Sequence, residues 1–190
     1  VIITGQDGAG KSTLLNILSG IYQNQQGTFV INGLPKEKWD KEVMCNYLGN
    51  SFEEQELING TLMENLKLGM ETATVDNVRW ALNNLWLNDF VKELSEGYKT
   101  QLLPKGNHIP SHIIQKLFIA RAIADRPQLL LIEDGFLNMA PDERRAVIDF
   151  LMYAEHEWTL AVVTRDQYWA QQADRIVVMK EGQKEFEGSY

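Results

Sequence analysis

Unbroken apolar runs at "VIIT" (1–4) and "QLLLIE" (128–133) fit strands buried on both faces of a parallel sheet. "TLAVVT" (159–164) and "DRIVVM" (174–179) repeat that signal toward the end of the chain. Elsewhere the spacing is helical. "KSTLLNILSGIY" (11–22) sets Leu14, Leu15, Ile17 and Leu18 at helical intervals until Gly20. From Gly60 to about Asp125, "TLMENLKLG", "TVDNVRWALNNLWLNDFVKEL" and "SHIIQKLFIARAIAD" carry apolar residues every three or four positions, with Thr74 ahead of Asp76 as a helix start. "PDERRAVIDFLMYAEHE" (141–157) predicts a helix between "QLLLIE" and "TLAVVT". Two weaker segments read as short strands: "GTFVING" (27–33), turning at Asn32-Gly33, and "VMCNYL" (43–48). The intervening "KEKWDKE" reads as a solvated connection.

This layout predicts an α/β fold, a mostly parallel sheet flanked by helices with a helical insertion. Residues 1–58 form the first part of the core, 59–125 the inserted helical subdomain and 126–190 the second part. A length of 190 residues at 44% apolar content supports one sizeable core. The net charge of −8, with no basic run, argues against nucleic-acid binding. Cys45 is the only cysteine, so neither a disulfide nor a cysteine-built zinc site is available, and it reads as a small buried side chain. No apolar stretch reaches the roughly 20 residues of a membrane helix. The chain opens inside a strand at Val1 without an initiator methionine, and reads as a piece of a longer polypeptide.

The first strand and helix are joined by "GQDGAGKST" (5–13), which satisfies G-x-x-x-x-G-K-[ST] in the strand-loop-helix context the motif requires. Its glycines let successive N–H groups turn inward around an anion, and the helix N-terminus adds positive potential. Gln6, Asp7, Gly8, Ala9, Gly10, Lys11, Ser12 and Thr13 are therefore the candidate nucleotide contacts, with Lys11 reaching the β- and γ-phosphates and Ser12 ligating magnesium. These residues predict Mg-ATP or a similar magnesium nucleotide as ligand on a P-loop NTPase core. Glu133 and Asp134 close the strand at 128–133, at the sheet edge where such folds bind ligands.

The chain resembles the nucleotide-binding domain of an ATP-binding cassette (ABC) transporter of the exporter type. "GKSTLLNILSGIYQNQQGTFVING" is similar to that family's phosphate loop, first helix and following strand. "NGTLMENLKLG" (59–69), "LSEGYKT" (94–100) and "ARAIADRPQLLLIED" (120–134) resemble later segments of it, and "TLAVVTRD" with "ADRIVVMKEGQKEFEG" its closing strands. The resemblance implies ATP and Mg2+ as cofactors. Its implied partners are a second nucleotide-binding domain in a head-to-tail dimer and a transmembrane subunit or domain. It also implies a place at the cytoplasmic face of a membrane.

Several positions depart from the family pattern where it carries chemistry. The family's strand ends Asp-Glu, metal ligand then water-activating base, whereas this chain has Glu133 and then Asp134. Glu133 can still ligate magnesium, but Asp134 is one methylene shorter, and a displacement of about 1 Å can lower a rate roughly 100-fold. The signature preceding "IIQKLFIARA" aligns with "IPSHI" (109–113), where Pro110 lacks hydroxyl and N–H, and Ser111 and His112 carry side chains where close backbone approach is expected. Proline is also at home in a helix's first turn.

The family's histidine after "TLAVVT" is replaced by Arg165, whose guanidinium can grip phosphate but cannot accept a proton, or can pair at the surface with Asp166. Asn50, Glu53 and Gln55 are alternatives for the family's lid glutamine, and its bridging aspartate falls on Ala140. Asp134, Glu133 and Arg165 are thus the candidate catalytic residues, and Ser12 and Glu133 the metal ligands. The order of the two acids favours holding nucleotide over cleaving it.

His108, His112 and His156 lack metal-ligand spacing, Trp80 and Trp86 read as packing or interface residues, and Trp39, Trp158 and Trp169 as too isolated for an aromatic platform. Three rival readings share the phosphate loop: an active ATPase with compensated motifs, a small-molecule kinase, and a nucleotide-gated interaction module without a transport role.

Overall fold

The buried runs assemble side by side. The computed structural model describes residues 1–23, 26–68, 70, 73–106 and 108–190, apart from the side chains of Lys41, Glu42, Lys105 and Leu137. Gly69, which closes the "TLMENLKLG" segment, lies outside the described residues. In chain order the elements are β1 (Ile2–Gly5), α1 (Lys11–Leu18), β2 (Val30–Ile31), β3 (Leu34–Pro35), α2 (Lys41–Tyr47), β4 (Leu48–Ser51), β5 (Gly60–Thr61), α3 (Leu62–Lys67) and α4 (Val75–Asn84). They continue with α5 (Asn88–Glu93), β6 (Gln101–Leu102), α6 (Ser111–Ala124), β7 (Leu129–Glu133), α7 (Pro141–Met152), β8 (Thr159–Val163), α8 (Gln167–Gln171), β9 (Ile176–Lys180) and β10 (Gln183–Gly188).

The main sheet has six strands in the order β10-β9-β1-β8-β7-β4. Only β10 runs antiparallel to its neighbour; the β9-β1, β1-β8, β8-β7 and β7-β4 pairings are parallel. Alternate residues face opposite layers, as the pleat requires. Ile2, Leu130, Ile132 and Val162 pack with α6 and α7, whereas Ile3, Leu131, Ala161 and Val163 pack with Leu15 of α1. That two-sided burial is why these strands read as continuous apolar runs. At the edge, Lys184, Glu185 and Glu187 place charge along β10, which disfavours edge-to-edge pairing.

The helical segments have clear local causes. Thr61 caps α3 reciprocally: its hydroxyl accepts from the Glu64 N–H at 3.1 Å, and the Glu64 carboxylate accepts from the Thr61 N–H at 2.7 Å. Thr74 caps α4 by accepting from the Asn77 N–H. The segment 74–94 is not one helix, because Trp86 adopts a left-handed φ of 53° and separates α4 from α5. Asn65, buried in α3, donates to the carbonyls of Ile58 and Thr61 and accepts from the Ile58 N–H, while its own carbonyl accepts from Arg121 of α6.

Two sequence expectations fail around residue 45. "VMCNYL" is helix α2, and only Leu48 belongs to the strand that follows. Met44 and Tyr47 share one helix face, Met44 buried and Tyr47 edge-on to Trp39 with ring centroids 5.2 Å apart, so a helical contact outweighs the strand-like composition. Cys45 consequently lies on the other side, exposed rather than buried. The "KEKWDKE" connection includes a 3-10 turn at Lys36–Lys38 and the start of α2. The strand in "GTFVING" shrinks to β2, a hairpin with β3 through Asn32-Gly33, both residues at positive φ.

Candidate nucleotide-binding site

β1 delivers the chain to the loop, and α1 leaves it. Gly5 is required by proximity: a Cβ there would lie 2.2 Å from the Met179 carbonyl oxygen at the end of β9. Gly10, with φ 90°, turns the backbone into α1 in a conformation that favours glycine. Lys11 folds its ammonium back over the loop and donates to the Gln6 carbonyl at 2.8 Å. Gln6, Asp7 and Gly8 are exposed at the rim and Ala9 is buried beneath. Ser12 and Thr13, in the first turn of α1, face open cleft.

Ser12 and Glu133 meet. The Ser12 hydroxyl donates to Glu133 Oε1 at 2.5 Å, bringing the end of β7 against the first turn of α1. The other carboxylate oxygen, Oε2, accepts from the Glu53 N–H at 3.4 Å. Glu53 itself sits near two acids. Partial burial of its carboxyl is the largest influence raising its pKa above the ordinary range, and the charges of Glu133 and Asp134 push the same way.

Two clefts adjoin this contact, and Ser12, Glu53 and Glu133 line both. One, of about 600 Å³, is bordered by Asp7, Lys11, Asp134 and Arg165. The other, of about 500 Å³, is bordered by Thr13, Tyr22, Asn50 and Gln55. Neighbouring backbone N–H groups, an ammonium and a hydroxyl beside a carboxylate suit a phosphate chain with a hard, oxygen-seeking cation. The donor set therefore fits a triphosphate and magnesium.

The remaining candidates are placed less as expected. Asp134 does not present a free carboxylate to the cleft: its side chain is only 2% exposed. Oδ1 accepts from the Phe136 N–H at 3.2 Å, and Oδ2 accepts from the Thr164 hydroxyl at 2.5 Å and from Arg144 at 3.2 Å. Arg165 pairs with Asp7 of the phosphate loop, not with Asp166, which pairs instead with Arg144 at 2.8 Å. Pro110 precedes α6 as its cap and not within its first turn, and the helix receives no side-chain cap. Ala140 likewise leaves the start of α7 without a capping side chain. Of the lid candidates, Gln55 donates to the Asn50 side chain at 2.9 Å, and Glu53 reaches Glu133 through its backbone N–H.

A family model described as "ABC transporter" matches residues 1–136, more than half of the chain. The chain belongs to the ABC transporter family. Among its relatives is "ABC-type transporter kk1G" of Curvularia clavata, 28% identical over 182 residues, covering 95% of this chain and 14% of that protein. "Beta-(1-->2)glucan export ATP-binding/permease protein NdvA" of Agrobacterium fabrum is 29% identical over 185 residues, covering 96% of this chain and 31% of that protein. The solved "Structure of a bacterial Atm1-family ABC exporter with ATP bound" superposes with a TM-score of 0.89 at 23% identity, covering 99% of this chain and 33% of that one, and shares the fold. The chain thus spans a third or less of the length of these relatives.

Within this ABC transporter domain, sequence reasoning missed Arg144 and Thr164. Arg144 had a signal: it precedes Val147, Ile148 and Leu151 by three, four and seven positions, so it lies on the buried stripe of α7. A lone cation on an apolar stripe implies a buried anion to meet it. Trp158 is also not isolated, because it stacks on His156 at 3.9 Å within a cluster containing Trp80 and Phe150. Among the described residues, no helix is long and apolar enough to cross a membrane.

Proposed function

We propose that this chain is the ATP-binding part of an exporter-type ABC transporter that holds Mg-ATP and hydrolyses it weakly. The observation that carries the reading is the Ser12–Glu133 contact beside Lys11, on a loop built to hold phosphate. Gln6 to Thr13 would line the phosphates, and Ser12 and Glu133 would hold magnesium, which when bound neutralises developing charge on the phosphates. The names of its relatives, which join "ATP-binding" to "permease", support a membrane-spanning partner elsewhere in the polypeptide. A second nucleotide-binding domain, packed head to tail, would complete the site at the cytoplasmic face of the membrane. Residues 59–125 serve as the inserted helical subdomain between core segments 1–58 and 126–190.

Weak hydrolysis is supported from two directions. Asp134, at the position expected to orient the attacking water, has partners on both carboxylate oxygens. Arg165, at the position of the family's histidine, cannot accept a proton. Phosphoryl transfer depends on positioning and electrostatics, so these losses act together and do not simply add.

The test measures Mg-ATP binding and phosphate release by the complete polypeptide that contains residues 1–190. Binding should be retained with turnover below about 1 per second, the low end of ordinary enzymes. Lys11→Ala should weaken binding by roughly 10- to 100-fold, the value of one charge-assisted contact. Brisk phosphate release would overturn the weak-hydrolysis reading, and absence of ATP binding would overturn the site.

A further inference from the structure

Behind the phosphate cradle, four residues close into a ring, one link of it through a backbone N–H. The Thr164 hydroxyl donates to Asp134 Oδ2 at 2.5 Å and accepts from the Asp166 N–H at 2.9 Å. Asp166 Oδ2 meets Arg144 at 2.8 Å, and Arg144 returns to Asp134 Oδ2 at 3.2 Å. The ring ties the end of β7 to the turn between β8 and α8, and Asp166 also caps α8 through the Tyr168 N–H. Arg144 Nη2 meets both carboxylates, and Arg144 Nε is buried without a hydrogen-bond partner among the described residues.

Each carboxylate oxygen offers about two lone-pair sites. On Asp134 Oδ2 both are taken, by Thr164 and Arg144, and with 2% exposure water has no open approach to the carboxylate. The shorter acid is therefore only part of the explanation for weak hydrolysis; the other part is what it is bound to.

We propose that Arg144 is a positioning residue that clasps Asp134 away from the attacking water and thereby suppresses ATP hydrolysis in this domain. The inference rests on the loop around Lys11 being the ATP site. With the clasp open, Asp134 accepts a proton from water as the water oxygen bonds to the terminal phosphorus. The bond from that phosphorus to the bridging oxygen breaks, leaving ADP and inorganic phosphate.

The experiment uses the complete polypeptide and compares wild type, Arg144→Met, Arg144→Gln and Arg144→Lys, each also combined with Asp134→Asn. ATP affinity is read with a fluorescent ATP analogue, phosphate release across pH 5 to 9, and folding by a cooperative thermal melt. Arg144→Met should raise phosphate release roughly tenfold or more, within the range of an added general base. Asp134→Asn should abolish that gain, and ATP affinity should stay near wild type. Arg144→Gln, which keeps a neutral donor, should show the same change more weakly and stands in if Arg144→Met does not melt cooperatively. Arg144→Lys should restore slow turnover. Unchanged or slower release in folded, ATP-binding Arg144→Met or Arg144→Gln overturns the clasp, whereas failure of wild type to bind ATP overturns the assignment of the site instead.

Discussion

Ser12 Oγ donates to Glu133 Oε1 at 2.5 Å, so the hydroxyl that follows Lys11 and the acid that ends β7 are in contact. The sheet brings them together: β7 lies beside β8, β8 beside β1, and β1 leads through the loop into α1. Both are hard oxygen ligands of the kind magnesium selects. Glu133→Gln keeps the shape and removes the charge. Binding of ATP in the presence of magnesium should weaken about tenfold, the worth of a charge-assisted interaction, while binding in excess chelator should change little. Titration of a fluorescent ATP analogue under both conditions checks this, and equal loss in both would remove Glu133 from the metal site.

Arg165 and Asp7 form an ion pair at the mouth of the same cleft, with side chains 57% and 91% exposed. Such exposed pairs contribute little to stability, so the pair matters for what it presents to an anion. Asp7 both repels phosphate and occupies the guanidinium. Asp7→Asn should therefore tighten ATP binding about two- to fivefold, and the gain should shrink as salt screens it. The same substitution on an Arg165→Ala background should gain less, because no guanidinium remains to be released. Binding isotherms for this double-mutant cycle at low and high salt decide it, and equal gains on both backgrounds would show that the two residues act independently.

The phosphate loop and β7 were legible because their signals are local. Glycine spacing sets one, and burial on both faces of a parallel sheet sets the other. Helix α2 was not legible, since "VMCNYL" has strand composition and its helical face shows only through Met44 and the Trp39–Tyr47 contact. The environment of Asp134 was hidden for a different reason. Arg144, Thr164 and Asp166 come from α7 and from the turn after β8, and nothing near Asp134 in the sequence announces them. The motif names the candidate residues, but not what each of them is bound to.

His156 lies in an aromatic setting, stacked on Trp158 at 3.9 Å and flanked by Phe150 and Tyr153, with its Nε2 2.8 Å from the Phe150 carbonyl oxygen. Burial lowers its pKa below 6.5, Arg126 pushes the same way, and the hydrogen bond to Phe150 opposes them. Between that lowered value and 6.5 the unfolded chain binds more protons than the folded one. Stability from this group is thus complete above about pH 6.5 and declines as pH falls through the window. Urea midpoints at a series of pH values should slope downward on acidification in wild type and less so in His156→Gln. An equal slope in both proteins would contradict the assignment.

Gly49 marks the closest approach of β4 to α6. A Cβ there would lie 2.1 Å from the Ala122 carbonyl oxygen and 2.8 Å from Pro127 Cγ, and neither backbone nor proline ring can yield cheaply. Gly49→Ala should therefore force the strand and helix apart. Overpacking of this kind costs about 3 kcal/mol or more, equivalent to a fall in melting temperature of roughly 6–12 °C for a chain of this size. The displacement also reaches the cleft, because β4 carries Asn50 and leads directly to Glu53. Cys45→Ala, on the exposed side of α2, is the matched control and should shift the melt by little. A Gly49→Ala protein that melts with wild type would show that α6 and β4 have room to separate, and the close-contact account of their packing would fail.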